Sequence, residues 1–233
     1  MTEVEITTAD GPMRAIVARP GGACRGGVIM FPHVGGLTDT MRRMAQIVAD
    51  GGFLCVVPDL YHRLGTIVLD PQSSDEDAVA IRRVAAASVT GANAMRDAEA
   101  AMRWLRGQGI APRYCSVGFG RGGGLALLAA ATFPNEIAAA ASILGFGFAH
   151  ETLGDIRGEI YCAFAEHDNI IPAAVPAELA KALARLALPA RVTVHAGARH
   201  PYVFPDRAVH DAAAAAEDWT AVFAMFARQL GQH

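Results

Sequence analysis

The sequence predicts an α/β fold, a mostly parallel central sheet with helices on both faces. Three observations lead there. Short, nearly continuous apolar runs recur along the 233 residues, at Gly27–Phe31, Phe53–Val57, Tyr114–Phe119, Ile160–Ala165 and Arg191–His195. Between them lie stretches whose apolar residues follow helical spacing. No internal repeat, low-complexity linker or block of charge divides the chain, and its length suits one domain with one substantial core. Strands apolar on both faces need cover on both faces, the environment of a parallel sheet between helix layers.

The elements follow in order. Val4–Thr8 and Met13–Ala18 flank Asp10-Gly11, a hairpin signature. The run ending at Phe31 enters Pro32-His33-Val34-Gly35-Gly36, a sharp turn into a helix, and the run ending at Val57 enters Pro58-Asp59-Leu60-Tyr61-His62. Residues 62–92, with Pro71, Asp75, Glu76 and Asp77, join strand to helix and are expected to form a lid or cap. Within Asn93–Gly107, Met95, Ala98, Met102 and Leu105 fall three, four and three residues apart, on one helix face. Tyr114–Phe119 runs into a glycine-crowded turn and an Ala/Leu helix. A further strand is expected after Asn135-Glu136, and Asp206 to Leu230 reads as a long Ala-rich helix bounded by Gly231.

Composition narrows the function classes. With 52% hydrophobic and 18% charged residues, disorder is not expected, and a net charge of −3 offers no basic field for nucleic acid or a membrane surface. The pairs Arg42-Arg43 and Arg82-Arg83 sit in helical patterns, where solvated faces explain them. The first residues, MTEVEITTADG, show neither a basic n-region nor an apolar h-region, and the longest apolar run, Ile137 to Phe148, is interrupted by glycines and too short to span a membrane. Cysteines 24, 55, 115 and 162 show no C-x-x-C spacing, and three fall in apolar strands, which suits reduced core thiols. Cys115 precedes Gly120 by five residues and is expected to point into the sheet. The expectation is a cytoplasmic monomer or homodimer that handles a small molecule, with no nucleic-acid or membrane partner.

In an open parallel sheet, chemistry collects at the carboxyl ends of the strands. His33, Asp59 to His62, Gly120, Asp168 and His200 all follow such ends. The segment Gly118-Phe119-Gly120-Arg121-Gly122 has the layout of the G-x-S-x-G nucleophile elbow, but its third residue is Gly120, which has no side chain to attack with. The order elbow, acid, histidine is completed by Asp168 in a polar turn and His200 in the loop after the last strand. A carboxylate at Asp168 would orient the His200 imidazole and stabilise its protonated form. The plainer readings are a turn-forming Asp and a surface His. The N–H groups of Val34 and Arg121 are candidate oxyanion donors. His33 is a polar cleft residue or a structural loop histidine, Tyr61 and His62 are candidate substrate-binding residues with His62 expected at the rim, and His167 is expected to face solvent.

Two other motifs compete. Gly118, Gly120 and Gly123 satisfy G-x-G-x-x-G, yet the run lies midway along the chain and no acidic residue ends a strand about twenty residues on. A zinc site from His33, Asp59, His62 and His200 lacks any closely spaced ligand pair.

Several segments together resemble the dienelactone hydrolase family of α/β-hydrolases over nearly the whole chain. They are Val57-Pro58-Asp59-Leu60-Tyr61, Asp97-Ala98-Glu99-Ala100-Ala101 leading to Trp104-Leu105, and Gly118-Phe119-x-Arg121-Gly122-Gly123. His167-Asp168 with Ile171-Pro172, then His200 with Phe204, complete the set. The resemblance implies an α/β-hydrolase fold and hydrolysis of small esters or lactones by a Cys or Ser nucleophile, with no metal or organic cofactor. It places the acid at Asp168, the base at His200 and the oxyanion donors at Val34 and Arg121. Gly120 departs from the pattern at the nucleophile. His33 stands where dienelactone hydrolases carry a glutamate, and the arginines that hold a carboxylate substrate have only Arg82, Arg83 and Arg207 as candidates.

Three readings of Gly120 follow: a hydrolase homologue with covalent catalysis lost or impaired, an enzyme in which His200 and Asp168 activate water or move a proton, or a silent ligand-binding module.

Overall fold

The computed structural model describes residues 1–147, 150–186 and 188–231. These group into two compact units, Met1–Pro112 and Arg113–His233.

In the first unit, β1 (Thr2–Thr8) and β2 (Gly11–Ala18) form the expected antiparallel hairpin. Gly11 itself pairs with Thr8, and its φ of +106° is one that glycine adopts without a Cβ clash. The Thr8 hydroxyl donates to the Gly11 carbonyl at 2.6 Å. Strand β3 (Gly27–Phe31), helix α1 (Asp39–Asp50) and β4 (Leu54–Pro58) follow, and the strand order is β1-β2-β4-β3 with β3 and β4 parallel. Thr38 caps α1 by accepting from the Met41 N–H, and Met41, Met44, Ala45, Val48 and Ala49 form its buried stripe. After a 3₁₀ turn at His62–Leu64, helix α2 (Glu76–Ser88) has a single buried residue, Ala85, and leaves Ile81 and Val84 exposed. Helix α3 (Gly91–Gly107), capped by Thr90, buries Met95, Ala98, Met102 and Leu105 as its spacing predicts.

The second unit is a four-stranded parallel sheet in the order β5 (Tyr114–Phe119), β6 (Ile137–Ile143), β7 (Glu159–His167), β8 (Ala190–Arg199). Helices α4 (Arg121–Thr132) and α6 (Ala212–Leu230) both pack on β5 and β6. Every residue of those two strands is buried, so each helix layer covers one face. Helix α5 (Val175–Ala184) packs on β8. Helix α6 starts six residues later than the Asp206 expected from its alanine content. Asp211 is the cap, accepting from the N–H groups of Ala213 and Ala214, while residues 206–210 are held in turns. The apolar run that begins at Ile137 is β6, and Phe148 at its end lies outside the described residues. Cys55, Cys115 and Cys162 are buried free thiols, and burial raises the Cys162 thiol to about 12. Among the described residues no helix is long and apolar enough to cross a membrane.

Candidate active site

The turn from β5 into α4 is built from glycines, for two different reasons. Three of them are required by close approach. A Cβ on Gly118 would lie 2.0 Å from the Gly122 carbonyl oxygen, one on Gly123 2.7 Å from Ser142 Oγ, and one on Gly124 2.3 Å from the Phe146 carbonyl oxygen. Gly120 is not crowded: a Cβ there would meet only Phe146 Cε1, at 3.5 Å. What favours glycine is the backbone, with φ 58° and ψ −125°. The turn is secured by the Gly120 N–H donating to the Ile143 carbonyl at 3.0 Å and by the Gly123 N–H donating to the Gly120 carbonyl at 2.9 Å. Gly118→Ala is therefore expected to destabilise the fold by more than about 3 kcal/mol, since the obstacle is main chain that cannot rotate away. Chemical denaturation checks this, and a loss under about 1 kcal/mol would contradict the packing argument.

Asp168 directly follows β7. Its Oδ1 accepts from the N–H groups of Ile170 and Ile171, each at 2.8 Å, and its Oδ2 accepts from His200 Nδ1–H at 2.8 Å. The two side chains are only 6% and 13% exposed. Burial by itself would raise the Asp168 pKa, but the His200 hydrogen bond and the Ile171 and Ile170 N–H groups outweigh it, and the pKa is lowered. Asp168 is thus an ionised acceptor. It holds the proton of His200 on Nδ1 and leaves Nε2 as the basic nitrogen.

The lowered Asp168 pKa has a consequence for stability. Its contribution is complete above the unfolded value of about 3.9 and is lost as pH falls through the folded value. The stability difference between the native chain and Asp168→Asn is expected to shrink as pH falls from about 5 to below about 4. Urea melts across that range measure it, and a difference unchanged down to about pH 3 would contradict the assignment.

The four parallel strands bring Gly120, Asp168 and the His200 loop to the same carboxyl edge of the second unit. The Phe119 ring, one residue before Gly120, packs edge-on to Phe204, four residues after His200, with centroids 5.4 Å apart. Arg121 is the first residue of α4. His167 is exposed, 61% by side chain, as expected of a residue facing solvent.

The remaining candidates lie in the first unit. His33 Nδ1 accepts from the Gly35 N–H at 2.9 Å, which leaves the ring proton on Nε2, 3.4 Å from Thr38 Oγ1. Gly35 is needed here, because its Cβ would fall 2.5 Å from the ring. Tyr61 donates its hydroxyl proton to the Val34 carbonyl at 2.8 Å. These contacts shape the loop that carries Val34. Asp59 bonds Arg14 at 3.1 Å and accepts from the Tyr61 N–H, and burial raises its pKa despite both.

His62 is a correction: its side chain is 3% exposed, not a rim group. It donates from Nε2 to Asp97 Oδ1 at 3.2 Å, and Arg63 donates to both oxygens of the same carboxylate at 2.8 and 2.7 Å. The Asp97 side chain is 1% exposed, so it needs those donors. Among the described residues no three His, Cys, Asp or Glu side chains are grouped to hold a metal ion.

Sequence reasoning missed a buried cluster in the second unit. Asp218 of α6 accepts from Tyr161, His195 and Tyr202. The available signal was an acidic residue on the apolar face of a predicted helix, together with a histidine in an apolar strand.

A model of the dienelactone hydrolase family matches residues 13–230. The chain belongs to the dienelactone hydrolase family. A Synechocystis relative named as a candidate carboxymethylenebutenolidase is 25% identical over 215 residues, covering 87% of this chain and 86% of the relative. Among solved structures, a candidate dienelactone hydrolase from Klebsiella pneumoniae superposes with a TM-score of 0.85 at 24% identity, over 97% of this chain and 98% of that one. A dienelactone hydrolase-like promiscuous phosphotriesterase from metagenomic libraries gives 0.79 at 21% identity, over 98% of each chain. Over its described residues this family member has the α/β-hydrolase fold, eight mostly parallel strands with helices.

Proposed function

We propose that this family member is built to bind a small ester or lactone, and that its covalent catalysis is lost or impaired because Gly120 occupies the nucleophile position. One observation carries the reading. The Asp168–His200 pair is fully formed at 2.8 Å, with the carboxylate braced by two main-chain N–H groups, at the same carboxyl sheet edge as a strand-to-helix turn whose central residue, Gly120, has no side chain. The room for a Cβ at Gly120 supports the same view, since the flanking glycines are held by contacts and this one is not. In a complete site, a hydroxyl or thiol at position 120 would lose its proton to His200 Nε2 and attack the ester carbonyl. The N–H of Arg121, the residue after the nucleophile position, would stabilise the oxyanion.

A second reading is favoured by the His200 tautomer. With Nδ1–H committed to Asp168, Nε2 is available as a general base for water or for a substrate C–H even without a covalent step. Ester turnover by the native chain, Gly120→Ser, Gly120→Cys and His200→Ala separates the two. Activity that appears only with Ser or Cys, accompanied by an acyl-enzyme burst, supports the first. Native turnover abolished by His200→Ala supports the second. Ligand binding with no turnover in any of the four would overturn both and leave a binding module.

A further inference from the structure

Asp218 is fully buried on α6, and its carboxylate gathers donors from three places in the second unit. Tyr161 of β7 donates to Oδ1 at 2.7 Å, His195 Nε2–H of β8 donates to Oδ1 at 2.6 Å, and Tyr202 donates to Oδ2 at 2.5 Å. Charge-assisted hydrogen bonds of this length are the strong ones, and a buried carboxylate holds its donors tightly because it has no water to exchange for them.

The placement of the donors matters more than their number. His195 lies five residues before His200 and Tyr202 two residues after it, so two of the three bracket the segment that carries the imidazole. Tyr202 is fixed twice. Its ring is fully buried, and its carbonyl accepts from the Asp211 N–H at 3.0 Å and from His210 Nδ1–H at 2.8 Å. Asp211 caps the same helix that carries Asp218, so main chain and side chain of Tyr202 both lead to α6. His200 is held more lightly at its own position, by its N–H to the His167 carbonyl at 3.3 Å and by the bond to Asp168.

We propose that Asp218 is a positioning residue for His200, acting through Tyr202. Its carboxylate anchors the Tyr202 hydroxyl, and the anchored tyrosine sets the place of the imidazole relative to Asp168. His195 anchors the other end of the segment on the same carboxylate. Tyr161 binds that carboxylate too, but it sits on β7 outside the segment and provides the internal comparison. Only the kinetic arm of the test rests on the hydrolase reading above.

The experiment compares Tyr202→Phe with Tyr161→Phe, each of which removes one hydroxyl and keeps the ring packing. In the native background, NMR follows the His200 Nδ1–H proton, assigned by its loss in Asp168→Ala. Tyr202→Phe is expected to broaden this resonance and to speed its exchange with water roughly tenfold, the size expected for one hydrogen bond. Tyr161→Phe is expected to leave it within about twofold, although it strips a donor from the same carboxylate. Equal effects in the two variants, or no change in Tyr202→Phe, would overturn the proposal. In the Gly120→Ser background, adding Tyr202→Phe is expected to lower kcat roughly tenfold with KM unchanged, and adding Tyr161→Phe is not. If Gly120→Ser gains no turnover, the hydrolase reading fails, and the NMR comparison still decides the positioning role.

Discussion

Gly120→Ser and Gly120→Cys are each expected to raise ester hydrolysis by on the order of 10²–10³-fold in kcat/KM over the native chain. The size follows from what is present and what is missing. In a serine protease, losing the nucleophile of a complete triad costs about 10⁶ in kcat, and about 10³–10⁴ over water survives from the oxyanion hole and binding. Here His200 and Asp168 are already paired at 2.8 Å, so a new side chain does not have to assemble them. The expected gain is smaller than the full cost because a grafted side chain enters a turn whose backbone, at φ 58° and ψ −125°, strains any residue but glycine.

The same substitutions are expected to destabilise the fold. A non-glycine residue at φ 58° and ψ −125° carries strain of about 1–3 kcal/mol, or roughly 2–12 °C in Tm for a chain of this size. Gly120→Ala separates the two effects, because it takes the strain without a nucleophile and is expected to lose stability with no gain in turnover. Steady-state kinetics, a stopped-flow search for an acyl-enzyme burst and calorimetry measure all three variants. Turnover in Gly120→Ala equal to that of Gly120→Ser would sink the nucleophile argument.

Adding Asp168→Asn to Gly120→Ser is expected to return the activity to the native level, the second large effect. Asparagine fits the same space but can present its NH₂ group to His200 and favour the wrong tautomer, a change that costs about 10⁴ in kcat in a serine protease. That exceeds the expected gain, so nothing of it should remain. KM is expected to stay within about threefold, since Asp168 touches His200 and main chain rather than ester. A double variant retaining more than about a tenth of the Gly120→Ser activity would show that Asp168 does not set the tautomer.

The candidate site was legible where it depended on local pattern. Gly120, Asp168 and His200 each follow a short apolar run, and chain order alone proposes their roles. The positions of β3, β5 and α3 were readable for the same reason, since a run of buried residues or one helical stripe is a property of neighbours in sequence. His62 was misread because what draws it inward is Asp97, 35 residues away. Asp218 was missed for a like reason: its partners lie 57, 23 and 16 residues distant. The start of α6 was misplaced because alanine content does not reveal that residues 206–210 are engaged in turns.

By itself, then, the sequence determined the alternation of strands and helices, the family resemblance and the absence of an attacking side chain at residue 120. All of these are written in residues close together or in a fixed order. Only the tertiary structure decided that Asp168 and His200 meet at 2.8 Å, that Gly120 has room for a Cβ while Gly118 and Gly124 do not, and that His62 is buried. Those facts depend on which strands lie side by side and how closely a helix approaches them. Such distances are set by the packing of the whole unit, and no local spacing encodes them.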